Sequence, residues 1–123
     1  MNAVRQTKYT KEVTQIINEL GHATNAQIAQ QLRRDYPNVS DTTVHRITSR
    51  LLERGAIALA PSRSDGSTRY DGNIAEHDHF VCVDCDKVRD INVIDTLRDT
   101  LCKNMNDCKI DGRLVISGHC NKC

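Results

Sequence analysis

Residues 77–88 read H-D-H-F-V-C-V-D-C-D-K-V. H-F-V-C-V alternates in side-chain character as a half-buried strand does. Cys82-x-x-Cys85 follows in a tight turn, and K-V-R-D-I then reads as a second short strand. In a C-x-x-C knuckle two sulfurs reach one metal from one turn, and a second knuckle completes a tetrahedron. That second pair is Cys120-x-x-Cys123, in G-H-C-N-K-C. Between the pairs lie a helical pattern over 93–105 and a third strand, R-L-V-I-S, at 113–117. The result is a β-β-α-β element of about fifty residues, small enough to need a staple. The spacing assigns Cys82, Cys85, Cys120 and Cys123 to a closed structural zinc site. Cys102 and Cys108 remain, and read as small apolar packing near the helix end.

The histidines of the same stretch belong elsewhere. On a strand His77 and His79 share a face, and Cys82 has the opposite parity. H-x-H is half of a metal site, and carboxylates stand where the other half needs them: Asp71 just before, Asp90 on the next strand.

Working back from residue 77, D-G-N at 71–73 marks a change of texture. Before it, Val13, Ile16, Ile17 and Leu20 have the spacing of one buried helix face over 8–20, and Gly21 stops the helix. T-N-A-Q at 24–27 is a capping-box pattern opening a second helix through Ile28, Ala29 and Leu32, which ends near Pro37. Ser40 or Asp41 caps a third helix with an apolar face of Val44, Ile47, Leu51 and Leu52. Its polar face carries Thr42, Thr43, His45, Arg46, Ser49 and Arg50, groups suited to base edges and phosphates in a major groove. A-I-A-L-A, a turn at Asp65-Gly66, and S-T-R-Y make a hairpin. Three helices followed by a hairpin describe a winged helix-turn-helix, with Arg63 and Arg69 on the wing for phosphates.

Charge agrees with this division. Residues 1–70 hold ten Lys/Arg against six Asp/Glu, net +4; residues 71–123 hold seven against ten, net −3; together they give the chain's +1. A basic half joined to an acidic half suits a polyanion binder attached to something else. No segment has the apolar length of a membrane span, and the N-terminus lacks a secretory pattern. The cytoplasm is the expected location, where six cysteines are thiols or metal ligands rather than disulfides.

H-A-T-N-A-Q-I-A-Q-Q-L at 22–32, T-V-H-R-I at 43–47, S-T-R-Y-D at 67–71, the 77–88 stretch and G-H-C-N-K-C at 118–123 together resemble the ferric uptake regulator (Fur) family. The resemblance spans nearly the whole chain. It implies an α+β fold: a winged helix-turn-helix domain at 1–70, a hinge at 71–76, and a small α/β dimerisation and metal-binding domain at 77–123, stapled by zinc. It implies structural zinc on the four cysteines, and regulatory metal on His22, Asp71, His77, His79 and Asp90. His22 comes from the resemblance alone; by itself it reads as a polar residue in a helix-helix turn. Three imidazoles and two carboxylates suit Fe²⁺ or Mn²⁺, with no soft sulfur to favour zinc.

The function so implied is a metal-dependent repressor, homodimeric, binding a double-stranded inverted-repeat operator, with no membrane or small-molecule substrate. Asp71, where iron sensors of the family often carry Glu, resembles the peroxide-sensing branch. There His22 and His77 are the candidates for oxidation. Leu97 and Gly112 stand where some members hold a further metal. His45 replaces the tyrosine of the family's T-V-Y-R motif, and T-K-E-V stands where many members carry Pro and Arg. The alternatives are a zinc-uptake regulator of the same family, a metal-dependent hydrolase drawing on Glu76 or Asp78, and a zinc-ribbon adaptor without DNA binding.

Overall fold

The computed structural model describes residues 3–106, 108–110 and 113–123, with side chains from Lys8 onward. The chain divides after Ile74 into two compact units.

The N-terminal unit begins with α1, Ala3–Leu20, followed by β1, His22–Thr24, and α2, Asn25–Leu32. Then come α3, Asp41–Glu53, β2, Ala58–Ala60, and β3, Arg69–Asp71. The starts of α2 and α3 have local causes. Thr24 accepts the N–H of Gln27, and the Gln27 side chain accepts that of Thr24, closing the capping box of α2. Ser40, rather than Asp41, caps α3 by accepting the Thr43 N–H at 3.1 Å. Gly21 ends α1 at φ 80°, a left-handed conformation that a residue with a Cβ resists. The three helices bury one cluster built on Val13, Ile17, Ile28, Leu32, Val44, Ile47 and Leu51. Full burial of side chains this size contributes about 1.5–3 kcal/mol each. Thr48, also buried, donates to Asn25 Oδ1 at 2.8 Å and ties α3 to α2.

Two expectations are corrected here. Leu20 falls outside the buried face and is exposed, because the chain leaves the helix at Gly21 directly after it. The segment at 22–24 is not a turn between helices but strand β1. It pairs antiparallel with β3, so that the sheet order is β1-β3-β2. Three residues carry too little periodicity to show a strand, and the partner lies far along the chain.

The C-terminal unit has β4, Asp78–Cys82, β5, Val88–Ile91, α4, Ile94–Asn104, and β6, Val115–Gly118. The β-β-α-β order read from the sequence is the order present. β4 is central, antiparallel to β5 and parallel to β6. The parallel pairing follows from α4, which carries the chain back to the start of the sheet. Little apolar surface is enclosed: among the described residues of this unit, Cys82 and Val88 are the buried hydrophobic ones, and α4 buries none. Of the two remaining cysteines, Cys102 is half-buried and Cys108 exposed, so apolar packing does not account for Cys108.

Candidate metal centres and nucleic-acid interface

The first cluster stands where β4 and β6 end together. Their ladder closes with Cys82 opposite Gly118, and the Val83 N–H donates to the Gly118 carbonyl at 2.8 Å. The knuckles therefore emerge side by side, and the sulfurs of Cys82, Cys85, Cys120 and Cys123 lie within 4.8 Å of one another. Cys82 is buried, and its sulfur accepts the Cys120 N–H at 3.4 Å. That bond, first among several, draws the Cys82 thiol down to about 6. Cys123 is pushed the other way, to about 12, first by its hydrogen bonding with Cys120 and then with Cys82. Four sulfurs this close cannot all become thiolates without a cation among them. The donor set fits zinc, and the residues that would hold it are these four.

Two smaller clusters carry histidine and carboxylate, one in each unit. In the N-terminal unit the β1–β3 register sets His22 directly opposite Asp71, with Nε2 3.4 Å from Oδ2. Asp71 is buried, and its other oxygen accepts the Asn73 N–H at 2.9 Å. In the C-terminal unit the β4–β5 register sets His79 opposite Asp90. His77 Nε2 and His79 Nε2 lie 3.1 and 3.5 Å from the same oxygen, Asp90 Oδ1. Both imidazoles are buried, with ring centroids 4.5 Å apart. His77 Nδ1 faces the Ala75 carbonyl at 2.6 Å; a carbonyl only accepts, so Nδ1 carries a proton and Nε2 is the atom turned toward Asp90. This is the tautomer and orientation that a metal-binding histidine needs, so the donors fit a divalent ion.

Asp78, between the two histidines, is a residue whose role sequence reasoning missed. Its buried carboxylate accepts the N–H groups of Val93 and Ile94 at 2.9 Å and of Leu114 at 3.0 Å. Burial opposes its charge, but these three backbone bonds outweigh it and hold its pKa below the ordinary value. Val93 offers no side-chain cap to α4, so Asp78 supplies from β4 what the helix start lacks. The hydrolase reading needed Asp78 as a base; with its acceptor capacity committed to backbone it does not serve as one. Glu76 is exposed.

On α3, Thr42, His45, Arg46 and Arg50 are exposed and Thr43 and Ser49 half-buried, so one helix face presents all six. Thr43 also meets Ser40 Oγ at 2.9 Å, through its own hydroxyl. Arg63 stands at the wing turn, where its N–H donates to Ser67 and its carbonyl accepts the Gly66 N–H. Asp65 stabilises that turn by accepting from both the hydroxyl and the N–H of Ser67. Arg69 is a correction. It is only 4% exposed, on β3 between its cross-strand neighbours Thr24 and Ala60. Pairing on both sides encloses the side chain, and a buried guanidinium is not offered to a phosphate. Leu97 is exposed on α4, and Gly112 lies outside the described residues.

A winged helix-turn-helix unit followed by a small α/β unit, with a four-thiol cluster and His/carboxylate clusters, defines a class: a metal-binding regulator. The comparisons with known proteins agree. The model of the "Ferric uptake regulator family" matches residues 1–112. The chain is 30% identical over 114 residues to the peroxide-responsive repressor PerR of Staphylococcus aureus strain COL, covering 88% of this chain and 74% of that one. Among solved structures it is similar to the Helicobacter pylori ferric uptake regulator Fur, for which three functional metal-binding sites are described. That match has a TM-score of 0.77 and 23% identity, over 94% of this chain and 79% of the other. The Campylobacter jejuni peroxide stress regulator matches with a TM-score of 0.75 and 22% identity, over 98% and 92%. The chain belongs to the ferric uptake regulator family, whose members are metal-responsive transcription regulators rather than enzymes.

Proposed function

We propose that this chain is a cytoplasmic, homodimeric, metal-dependent DNA-binding repressor. In this reading zinc on Cys82, Cys85, Cys120 and Cys123 is structural, and Fe²⁺ or Mn²⁺ is regulatory. The observation that carries it is the pair of half-sites. His22 and Asp71 are brought together by one sheet and His79 and Asp90 by the other, where His77, just before β4, reaches the same Asp90 oxygen. Two donors or three are few for a hard divalent ion, whereas five nitrogens and oxygens suit iron or manganese.

The ligands come from both units, so the full set engages only in arrangements that bring the half-sites to one centre. A bound ion supplies the differential affinity that favours those arrangements. The hinge, read from the sequence at 71–76, falls in this reading after β3 ends at Asp71, around the division at Ile74. In a symmetric dimer the arrangement so favoured sets the spacing of the two α3 helices, and an inverted-repeat operator follows. Thr42, Thr43, His45, Arg46, Ser49, Arg50 and Arg63 are the DNA contacts in this reading.

Dimerisation through the C-terminal unit is supported by what that unit leaves uncovered. β6 is an edge strand with Val115 56% and Ile116 38% exposed, and α4 leaves Leu97 37% exposed. An exposed apolar edge of this kind is a ready template for pairing with another chain.

Asp71 and the similarity to the Staphylococcus aureus repressor favour the peroxide-responsive branch. The absence of sulfur from the half-sites weighs against zinc as the signal. The test is operator binding by protein freed of regulatory metal, titrated separately with Fe²⁺ under anoxia, Mn²⁺ and Zn²⁺. Binding that rises with Fe²⁺ or Mn²⁺ is expected; binding equally strong without any of them overturns the reading. For the peroxide branch, the iron-loaded protein after peroxide treatment is expected to carry added oxygen on His22 or His77 by peptide mass spectrometry.

A further inference from the structure

One hydrogen-bonded pair beside the four thiols has no ligand role. Asp84 lies inside the first knuckle, and His119 directly precedes Cys120 in the second. The β4–β6 ladder ends with Cys82 opposite Gly118, and beyond that point the two segments turn into their knuckles. There His119 Nδ1 meets Asp84 Oδ2 at 2.7 Å. The contact joins the turn bearing Cys85 to the turn bearing Cys120, whose sulfurs are 3.7 Å apart.

We infer that Asp84 and His119 form a latch between the two knuckles of the four-thiol centre, positioning Cys85 and Cys120 and slowing metal release. The inference rests on those four cysteines being the zinc ligands. Cys82 is buried, whereas Cys85 and Cys123 are exposed. A competing chelator therefore meets the outer thiolates first, and displacing them requires the two knuckles to part. A bond between the knuckles opposes that motion, as groups outside the ligand shell do when they orient ligands. Its strength is bounded by exposure: the two side chains are 70% and 52% exposed, so screening limits the effect to roughly two- to fivefold. Such a pair governs the rate of release rather than whether the unit folds.

The experiment uses the full chain loaded with one zinc per protomer and follows release to excess 4-(2-pyridylazo)resorcinol. Asp84→Asn, His119→Gln and the double variant are compared with the parent. Each single variant is expected to release zinc about two- to fivefold faster, and the double no faster than the singles, because the two residues act through one contact. Added salt is expected to speed release from the parent and to leave the variants nearly unchanged, a response that loss of packing does not produce. Cobalt-substituted protein is expected to keep its thiolate charge-transfer absorption in every variant, showing that all four sulfurs still bind. Unchanged release in both singles, or accelerations that multiply in the double, overturns the latch. A parent that binds no zinc overturns the four-thiol reading itself, and the latch with it.

Discussion

The carboxylate of Asp78 accepts the backbone N–H of Leu114 at 3.0 Å, across 36 residues of chain. With Val93 and Ile94 on its other oxygen, one side chain on the central strand fixes both the start of α4 and the approach to β6. The His79 N–H, next along the chain, donates to the Leu114 carbonyl and repeats the tie in the opposite sense.

Asp78→Ala removes the acceptor from three backbone donors. Leaving buried donors unpaired costs about 1–3 kcal/mol each, so a total loss of about 3 kcal/mol or more is expected. Asp78→Asn, which keeps one acceptor oxygen, is expected to fall between parent and alanine variant. Urea melts of zinc-loaded protein check both; equal midpoints for parent and Asp78→Ala would show that the carboxylate bears no weight in the fold.

Cys85→Ser breaks the four-thiol set. The C-terminal unit has so small an apolar core that metal binding is expected to supply much of its folding free energy. The variant is expected to lose zinc by elemental analysis, and with it strand content by circular dichroism. Chelator treatment of the parent is expected to give the same result. A variant with full zinc and an unshifted melting curve would refute the assignment.

His77→Ala deletes a donor whose orientation is set by the Ala75 carbonyl. Its effect on Mn²⁺ affinity is expected to exceed the roughly 10–100-fold typical of residues that only orient ligands. Zinc content is expected to stay at one per chain, since the four sulfurs are untouched. Isothermal titration with Mn²⁺ reads the first, elemental analysis the second; unaltered Mn²⁺ affinity would make His77 a packing residue.

Arg46→Ala takes an exposed cation from α3 without touching the buried face. Operator affinity is expected to fall by about 1–3 kcal/mol if the guanidinium reads a base, or with a salt slope lower by about 1 if it contacts a phosphate. Metal uptake is expected to be unchanged. Fluorescence anisotropy across a salt series distinguishes these outcomes, and identical isotherms would remove Arg46 from the interface.

Much of this was legible locally. Capping at Thr24, helical spacing from Val13 to Leu51, and two C-x-x-C turns are short-range patterns, governed by backbone geometry within a few residues. The thiol pairing could be read because metal chemistry restricts spacing. Asp90 was visible as an acid on the strand after H-x-H, and the β4–β5 register sets it opposite His79.

The rest depended on contacts between distant segments. Only the β1–β3 pairing sets His22 across from Asp71, 49 positions later, and a three-residue strand leaves no periodic trace. Only the sheet encloses Arg69, which by composition alone belonged to a basic wing. Asp78 looks like any surface acid until α4 and β6 aim three N–H groups at it. The sequence by itself determined the helices, the C-terminal strands and the thiol and H-x-H ligand chemistry, because propensity, capping and ligand spacing are local. The tertiary structure alone decided which polar groups are buried and what they hold, because strand register and desolvation are properties of the assembled fold.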